Sequence, residues 1–280
     1  MNSLMKPIKK IMPAPLREIT RRTWYGLTRA AQWPSATFHP WRRVSIERLT
    51  ELKDSQRGQR CFIIGNGPSL KQTDLSRLRH EYTFGMNRIY LLFNELGFTT
   101  SYYVSVNSLV IEQCLADILC LPIPCFLSWR SRYAFRKNEA GIALHPNDQT
   151  IFLHTTYTGP KFAEDARGRM WEGATVTYVA LQLAYFLGFQ TAILIGVDHN
   201  FSTQGKPNTT VVSQGDDPDH FDKNYFGKGF RWQLPDLETS ERGYRMANEA
   251  YLKAGRQILD ATVGGMLQVF PKVDYDKLFL

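Results

Sequence analysis

The stretch Cys61-Phe62-Ile63-Ile64 followed by Gly65-Asn66-Gly67-Pro68-Ser69 constrains the fold of this chain more than any other. Four apolar residues in succession leave no polar face, as in a strand covered on both sides of a parallel sheet. Glycine and proline end the run sharply, and residues 73–78 then read as a short helix. Strand, tight turn and helix form the opening unit of an α/β domain. Runs at 82–87, 101–107, 124–129 and 150–155 predict further strands, 192–197 predicts a central one, and 266–270 a late one. Residues 175–187 carry Val176, Val179, Ala180, Leu183, Ala184 and Leu187 at helical spacing before the stop at Gly188, and 238–254 read as another helix. The expected fold is α/β: a Rossmann-like, mostly parallel sheet with helices on both faces. It makes a single nucleotide-binding domain with a lid loop at about 203–240, where Gly, Pro and Asp punctuate a polar stretch.

The net charge of +8 is uneven along the chain. Residues 1–50 hold ten Lys/Arg against two acids, and the remaining 230 residues are balanced at 24 of each sign. The body is therefore not a basic nucleic-acid binder. Residues 1–45 read as a basic leader in which Trp24, Tyr25, Leu27 and Trp33 accompany the cations, a composition suited to an anionic membrane surface or to a solvated tail. Pro13, Pro15, Pro34 and Pro40 are expected to cut the leader into short pieces, with 16–31 as its one useful helix, and the catalytic domain is expected over 46–280. With no long apolar run and no secretory signal, the expected place is the cytoplasm, peripherally at the inner membrane face. The cysteines Cys61, Cys114, Cys120 and Cys125 lack metal-site spacing and read as reduced thiols.

Open α/β sheets bind ligands beyond the carboxyl ends of their strands. Asn66, Asn87 and Asn107 close the first three predicted strands, and Asp198, His199 and Asn200 close the central one. Asparagine offers donor and acceptor together, which suits a base edge or a ribose, although it is also a common turn residue. Gly65 and Gly67 can take positive φ and admit a phosphate, with Pro68 shaping the turn and Ser69 adding a hydroxyl. The turn is neither a Walker A loop nor a dinucleotide fingerprint. Gly173-Ala174-Thr175-Val176-Thr177 precedes the best helix and reads either as a second anion cradle or as simple N-capping by Thr175. In the lid, His220 lies beside carboxylates that could orient it as a general base, against the alternative of a surface histidine. Asp217-Pro218-Asp219 could hold Mg²⁺ or be a solvated acidic loop. Tyr225, Lys228 and Arg231 could neutralise a leaving phosphate or be solvated.

These residues together resemble the small bacterial CMP-sialic-acid transferases and the motility accessory factor proteins of flagellin glycosylation. The likeness spans roughly 60–270 and is carried by I-I-G-N-G-P-S-L at 63–70, by Asn87 and Asn107, and by A-x-x-L-G-F and L-I-G-V-D between 184 and 198. It implies that Asn66, Asn87, Asn107, Thr175 and Thr177 hold CMP, and that His220 deprotonates an acceptor hydroxyl. The chain departs from that pattern where Gly173-Ala174-Thr175-Val176-Thr177 replaces a Ser-Gly pair and Asn200 replaces a phosphate-binding tyrosine. It is more similar still to bacterial proteins grouped with an archaeal 6-hydroxymethylpterin diphosphokinase. The expected function is inverting transfer of a sugar from a CMP-sugar donor to a glycan or glycolipid acceptor, with Tyr225 and Lys228 steadying the phosphate and with no cofactor. The alternatives are a diphosphokinase needing ATP and Mg²⁺ at Asp217 and Asp219, and a nucleotide-binding scaffold without turnover.

Overall fold

A computed structural model describes residues 14–136, 143–203 and 205–280. β1 (Arg60–Ile64) lies beside β2 (Tyr82–Met86), and β3 (Tyr102–Ser105), β4 (Cys125–Ser128), β5 (Thr150–Thr156) and β6 (Arg169–Trp171) follow outward in chain order. The chain then crosses to the other side of β1 as β7 (Thr191–Ile195). A separate antiparallel pair, β8 (Thr210–Val212) and β9 (Arg231–Gln233), intervenes before β10 (Gln257–Asp260) completes the sheet outside β7. Every pairing in the eight-stranded sheet is parallel. The strand order reverses between β1 and β7, which opens a crevice at their carboxyl ends.

The helices are α1 (Ala14–Phe38), α2 (Pro40–Leu52), the single turn α3 (Phe93–Leu96), α4 (Ser108–Leu119), α5 (Val176–Leu187) and α6 (Leu237–Lys253). Helices α5 and α6 cover one face of the sheet, where Val179, Leu183 and Tyr251 pack with Ile63 and Leu194. Helix α4 covers the other, where Ile111 and Leu115 pack with Phe62 and Ile193. The alternation of Phe62 and Ile63 between the two cores is the period-two geometry of a strand apolar on both sides. Each fully buried Leu or Ile contributes about 1.5–3 kcal/mol, so the α5 stripe alone anchors that layer. Gly188 ends α5 at φ 96°, as its position predicts.

The structure corrects the sequence reading in several places. Residues 266–270 form no strand; Leu267 and Phe270 are buried from a loop, and the late strand is the shorter, more polar β10. Residues 73–78 make no α-helix. Two 3₁₀ turns, Pro68–Gln72 and Leu75–Leu78, follow β1, because Asp74 caps Ser76 and leaves too few residues for a full helix. Prolines do not fragment the leader, since α1 runs through Pro34 and Pro40 opens α2 at a position where its missing N–H is not needed; Pro13 lies outside the described residues.

The boundary expected at 45/46 falls inside α2, which is part of the packed body. Strand β6 pairs only with 154–156, leaving the earlier edge of β5 bare. Side chains of α2 close that edge: Arg42 donates to Phe152 O at 2.6 Å, Ser45 accepts from Phe152 N at 2.9 Å, and Arg48 donates to Thr150 O at 3.2 Å. Arg42 is 1% exposed, with its remaining donors on Ala36 O and Arg167 O. The stretch at 203–240 is likewise no open loop. Phe221 and Tyr225 are buried, β8 and β9 pair, and the Gln113 amide clasps both backbone groups of Arg231 at 2.9 Å.

Candidate functional site

A cavity of about 490 Å³ opens at the β1/β7 crevice, between the strand ends and the arm that carries β8 and β9. The polypeptide turns abruptly at its wall. Asn87, Ala174 and His199 all adopt left-handed backbone, at φ 51°, 58° and 55°, and each sits where a strand or its extension ends. Non-glycine residues other than Asn and Asp seldom adopt this region, so surrounding structure holds the backbone in these turns around the cavity.

Of the residues singled out by sequence, Asn66, Gly67, Asn87, Asn107, Thr175, Thr177, Asp198, His199, Asn200, Asp219 and His220 line this cavity. Their chemistry differs in detail. The Asn107 carbonyl caps α4 by accepting from Leu109 N at 2.9 Å, while Asn87 accepts from Ser105 Oγ at 3.0 Å. Asn66 Oδ1 is buried with no hydrogen-bond partner, an acceptor whose lost hydration nothing in the protein replaces. Thr175 caps α5, its Oγ1 3.3 Å from Thr177 N, and Tyr244 OH lies 3.4 Å from that same oxygen. The helix N-terminus therefore points its remaining N–H groups and positive dipole end into the cavity wall. His199 contacts Glu241 at 3.2 Å.

The glycine-rich turn works differently from the expectation. Neither Gly65 nor Gly67 has positive φ, and Gly67 sits at −71°. Their N–H groups are bonded to Ile195 O at 2.7 Å and Gly196 O at 2.9 Å, so they stitch β1 to β7 and do not cradle a phosphate. Glycine is required by close approach instead: a Cβ on Gly65 would lie 2.1 Å from Gly196 O, and one on Gly67 1.8 Å from Asp198 Oδ2. Ser69 is spent on Asp198 as well, its N–H and hydroxyl reaching the carboxylate at 3.1 and 2.7 Å. Pro68 opens the following 3₁₀ turn. Gly173 (φ 56°) lies beneath the wall, where any Cβ would strike the Tyr178 ring.

The arm supplies a dyad. His220 Nδ1 lies 2.7 Å from Asp217 Oδ2, and its ring stacks on Tyr225 with centroids 4.0 Å apart. Burial pushes the Asp217 carboxyl up, but the contact with His220 and the N–H groups of Asp219 and Phe226 outweigh it and hold the group below the ordinary range. An ionised Asp217 places the ring proton on Nδ1 and leaves Nε2 as the basic nitrogen. Tyr225 is wholly buried beneath the histidine, with its phenol accepting from Arg88 N at 3.3 Å, and burial raises its pKa. It supports the ring and cannot reach a leaving group. Lys228 is exposed and does not line the cavity, nor does Arg231.

The acidic pair does not fit Mg²⁺. Asp217 Oδ1 and Oδ2 are committed to Asp219 N and to His220 and Phe226 N, while Asp219 accepts from Ser202 N at 2.7 Å and Thr203 Oγ1 at 3.2 Å. These bonds hold the arm's turns together. Among the described residues no group of three or more His, Cys, Asp or Glu is arranged to hold a metal ion.

Sequence patterns missed other residues at the cavity: Tyr157, Glu172, Asn208, Trp232, Asp236 and Tyr244. Glu172 is 3% exposed and pairs with Arg130 at 2.7 Å, while Thr155 Oγ1 donates to it at 2.6 Å. Burial raises its pKa against the pull of Arg130. Arg130 also lies 3.5 Å above the Tyr157 ring centre. Only Glu172, directly before the Gly173 turn, had a positional signal, since it follows an apolar Met170-Trp171 pair just as the asparagines follow theirs.

A comparison with solved structures finds similarity to a structure described as MAf glycosyltransferase from Magnetospirillum magneticum AMB-1, at 12% identity and a TM-score of 0.45, covering 84% of this chain and 38% of that one. No curated protein matches the chain. Residues 40–204, more than half of the chain and spanning β1 to β7, match the family model described as 6-hydroxymethylpterin diphosphokinase MptE-like, and the chain belongs to that family.

Proposed function

We propose that this protein is an inverting glycosyltransferase that moves a sugar from a CMP-activated donor to a hydroxyl of a surface glycan or glycolipid. The observation that carries the reading is the Asp217–His220 dyad at a cavity shared with Asn66, Asn87 and Asn107. The asparagines supply uncharged donors and acceptors for the nucleoside, with Asn66 Oδ1 as an acceptor awaiting a donor. The start of α5, with Thr175 and Thr177, supplies N–H groups and a dipole end for the CMP phosphate. His220 Nε2 takes the proton of the acceptor hydroxyl as its oxygen bonds to the anomeric carbon, and the bond from that carbon to the phosphate oxygen breaks, releasing CMP. Attack from the face opposite the leaving group inverts the anomeric centre.

The test is His220→Ala. Transfer from a CMP-sugar should fall by at least about 10²-fold, the usual contribution of a positioned base, while CMP affinity stays within about twofold. Transfer persisting unchanged removes His220 from the mechanism. A second reading, Mg²⁺-dependent diphosphoryl transfer from ATP to a pterin-like alcohol, draws support from the family to which the chain belongs. The commitment of the Asp217 and Asp219 carboxylates to protein donors weighs against it. The two readings separate on EDTA, which the transferase tolerates.

A further inference from the structure

Helix α1 leaves an apolar face uncovered. Ile19, Trp24, Leu27, Trp33 and Phe38 are 60%, 46%, 60%, 54% and 64% exposed. At about 100° per residue these five fall within one half of the helix circumference, and no charged residue lies between them on that half. Over the C-terminal half of α1 the other side meets the body: Ala36 is buried, Ser35 Oγ accepts from Trp129 Nε1 at 3.3 Å, and Arg29 donates to Thr158 Oγ1 at 2.9 Å, while residues 19–25 are exposed all round. Arg21, Arg22 and Arg29 stand beyond the Trp24 and Trp33 edges of the apolar half.

We infer that this face is a docking surface for an anionic bilayer, on which α1 lies in the plane of the headgroups. Three observations select that occupant over a second copy of the chain. Tryptophans bound the apolar half on both edges, the position of this side chain at a lipid–water boundary. Arginines flank it, and Lys6, Lys9 and Lys10 precede it in the sequence, so residues 1–38 carry +6 of the chain's net charge of +8. The rest of the chain offers a second copy's α1 no acidic excess to meet. Among the described residues no helix is long and apolar enough to cross a membrane, so the contact is peripheral. The anchor at Thr158 adjoins Tyr157, which lines the cavity, and so the membrane plane lies on the cavity's β5 side. The docking itself is independent of the transferase reading.

The experiment is cosedimentation of the full chain with vesicles of phosphatidylcholine alone and of phosphatidylcholine with phosphatidylglycerol. Binding is expected with the anionic vesicles, to be weakened by high salt, and to drop roughly tenfold or more in the Leu27→Glu/Trp33→Glu variant. Both positions are exposed, and circular dichroism checks that the variant is folded. Equal binding to both vesicle types, no binding to either, or a variant that binds like the parent overturns the inference. So does lipid-free self-association that the same variant abolishes, which would assign the face to a second copy.

Discussion

Asp217 Oδ2 lies 2.7 Å from His220 Nδ1 and also accepts from Phe226 N at 3.1 Å, so one carboxylate oxygen fixes both the histidine ring and the turn that follows it. The dyad sits entirely within the arm, which Phe221 N ties to Asn66 O at 2.9 Å. Its effect on His220 depends on the carboxylate remaining charged.

Asp217→Asn should therefore reduce turnover by about 10²-fold, with nucleotide affinity little changed, since an amide no longer dictates the tautomer. The same variant should alter stability against pH. The depressed native pKa of Asp217 contributes stability that is present above the unfolded aspartate value of about 3.9 and is lost as pH falls through the native one. Denaturation midpoints measured across that acid window should fall less steeply in the variant than in the parent.

Asn66→Ala should separate binding from folding. Its Oδ1 is buried and unpartnered, so deleting it removes an unmet hydration cost, and the melting temperature should hold or rise. Nucleotide affinity should fall by about tenfold or more, the value of a hydrogen bond left unmade in the complex. Calorimetric titration beside a melting curve reads both quantities. A large loss of stability would give Asn66 a structural role instead.

The two turn glycines should differ in how their substitution can be relieved. Gly65→Ala drives a Cβ into the Gly196 carbonyl and should cost about 1–3 kcal/mol or more, with no side chain able to give way. Gly67→Ala meets the Asp198 carboxylate first, so adding Asp198→Ala should recover part of its loss in denaturant midpoint. The second substitution should recover nothing at Gly65.

Strands β1, β4 and β7 were legible as apolar runs covered on both faces, β2, β3 and β5 by their β-branched and aromatic residues, and α5 because its apolar positions keep helical spacing. The strand-end asparagines were legible for the same reason, as polar residues directly after such runs. Strand β10 was not, because an edge strand need bury only part of its surface, and Gln257 and Asp260 disguise it. Nor does local pattern reveal that Arg42 closes the bare edge of β5, that Ser69 and Asp198 serve each other, or that Tyr225 lies under His220. Each of those facts depends on residues far apart in the chain or on burial that a polar sequence hides. At Gly65 and Gly67 the sequence suggests positive φ, whereas packing against β7 and against Asp198 is what demands the glycines, a close approach that local pattern does not show.

Thermal stabilisation by CMP, CDP, UDP, GDP and ATP, each with Mg²⁺ and with EDTA, distinguishes CMP-sugar transfer from diphosphoryl transfer at this cavity, because a ligand bound only to the native state raises its apparent stability. A shift with CMP that survives EDTA and is smaller in Asn66→Ala is the expected result. A shift confined to ATP with Mg²⁺ would contradict it and assign the cavity to diphosphoryl transfer.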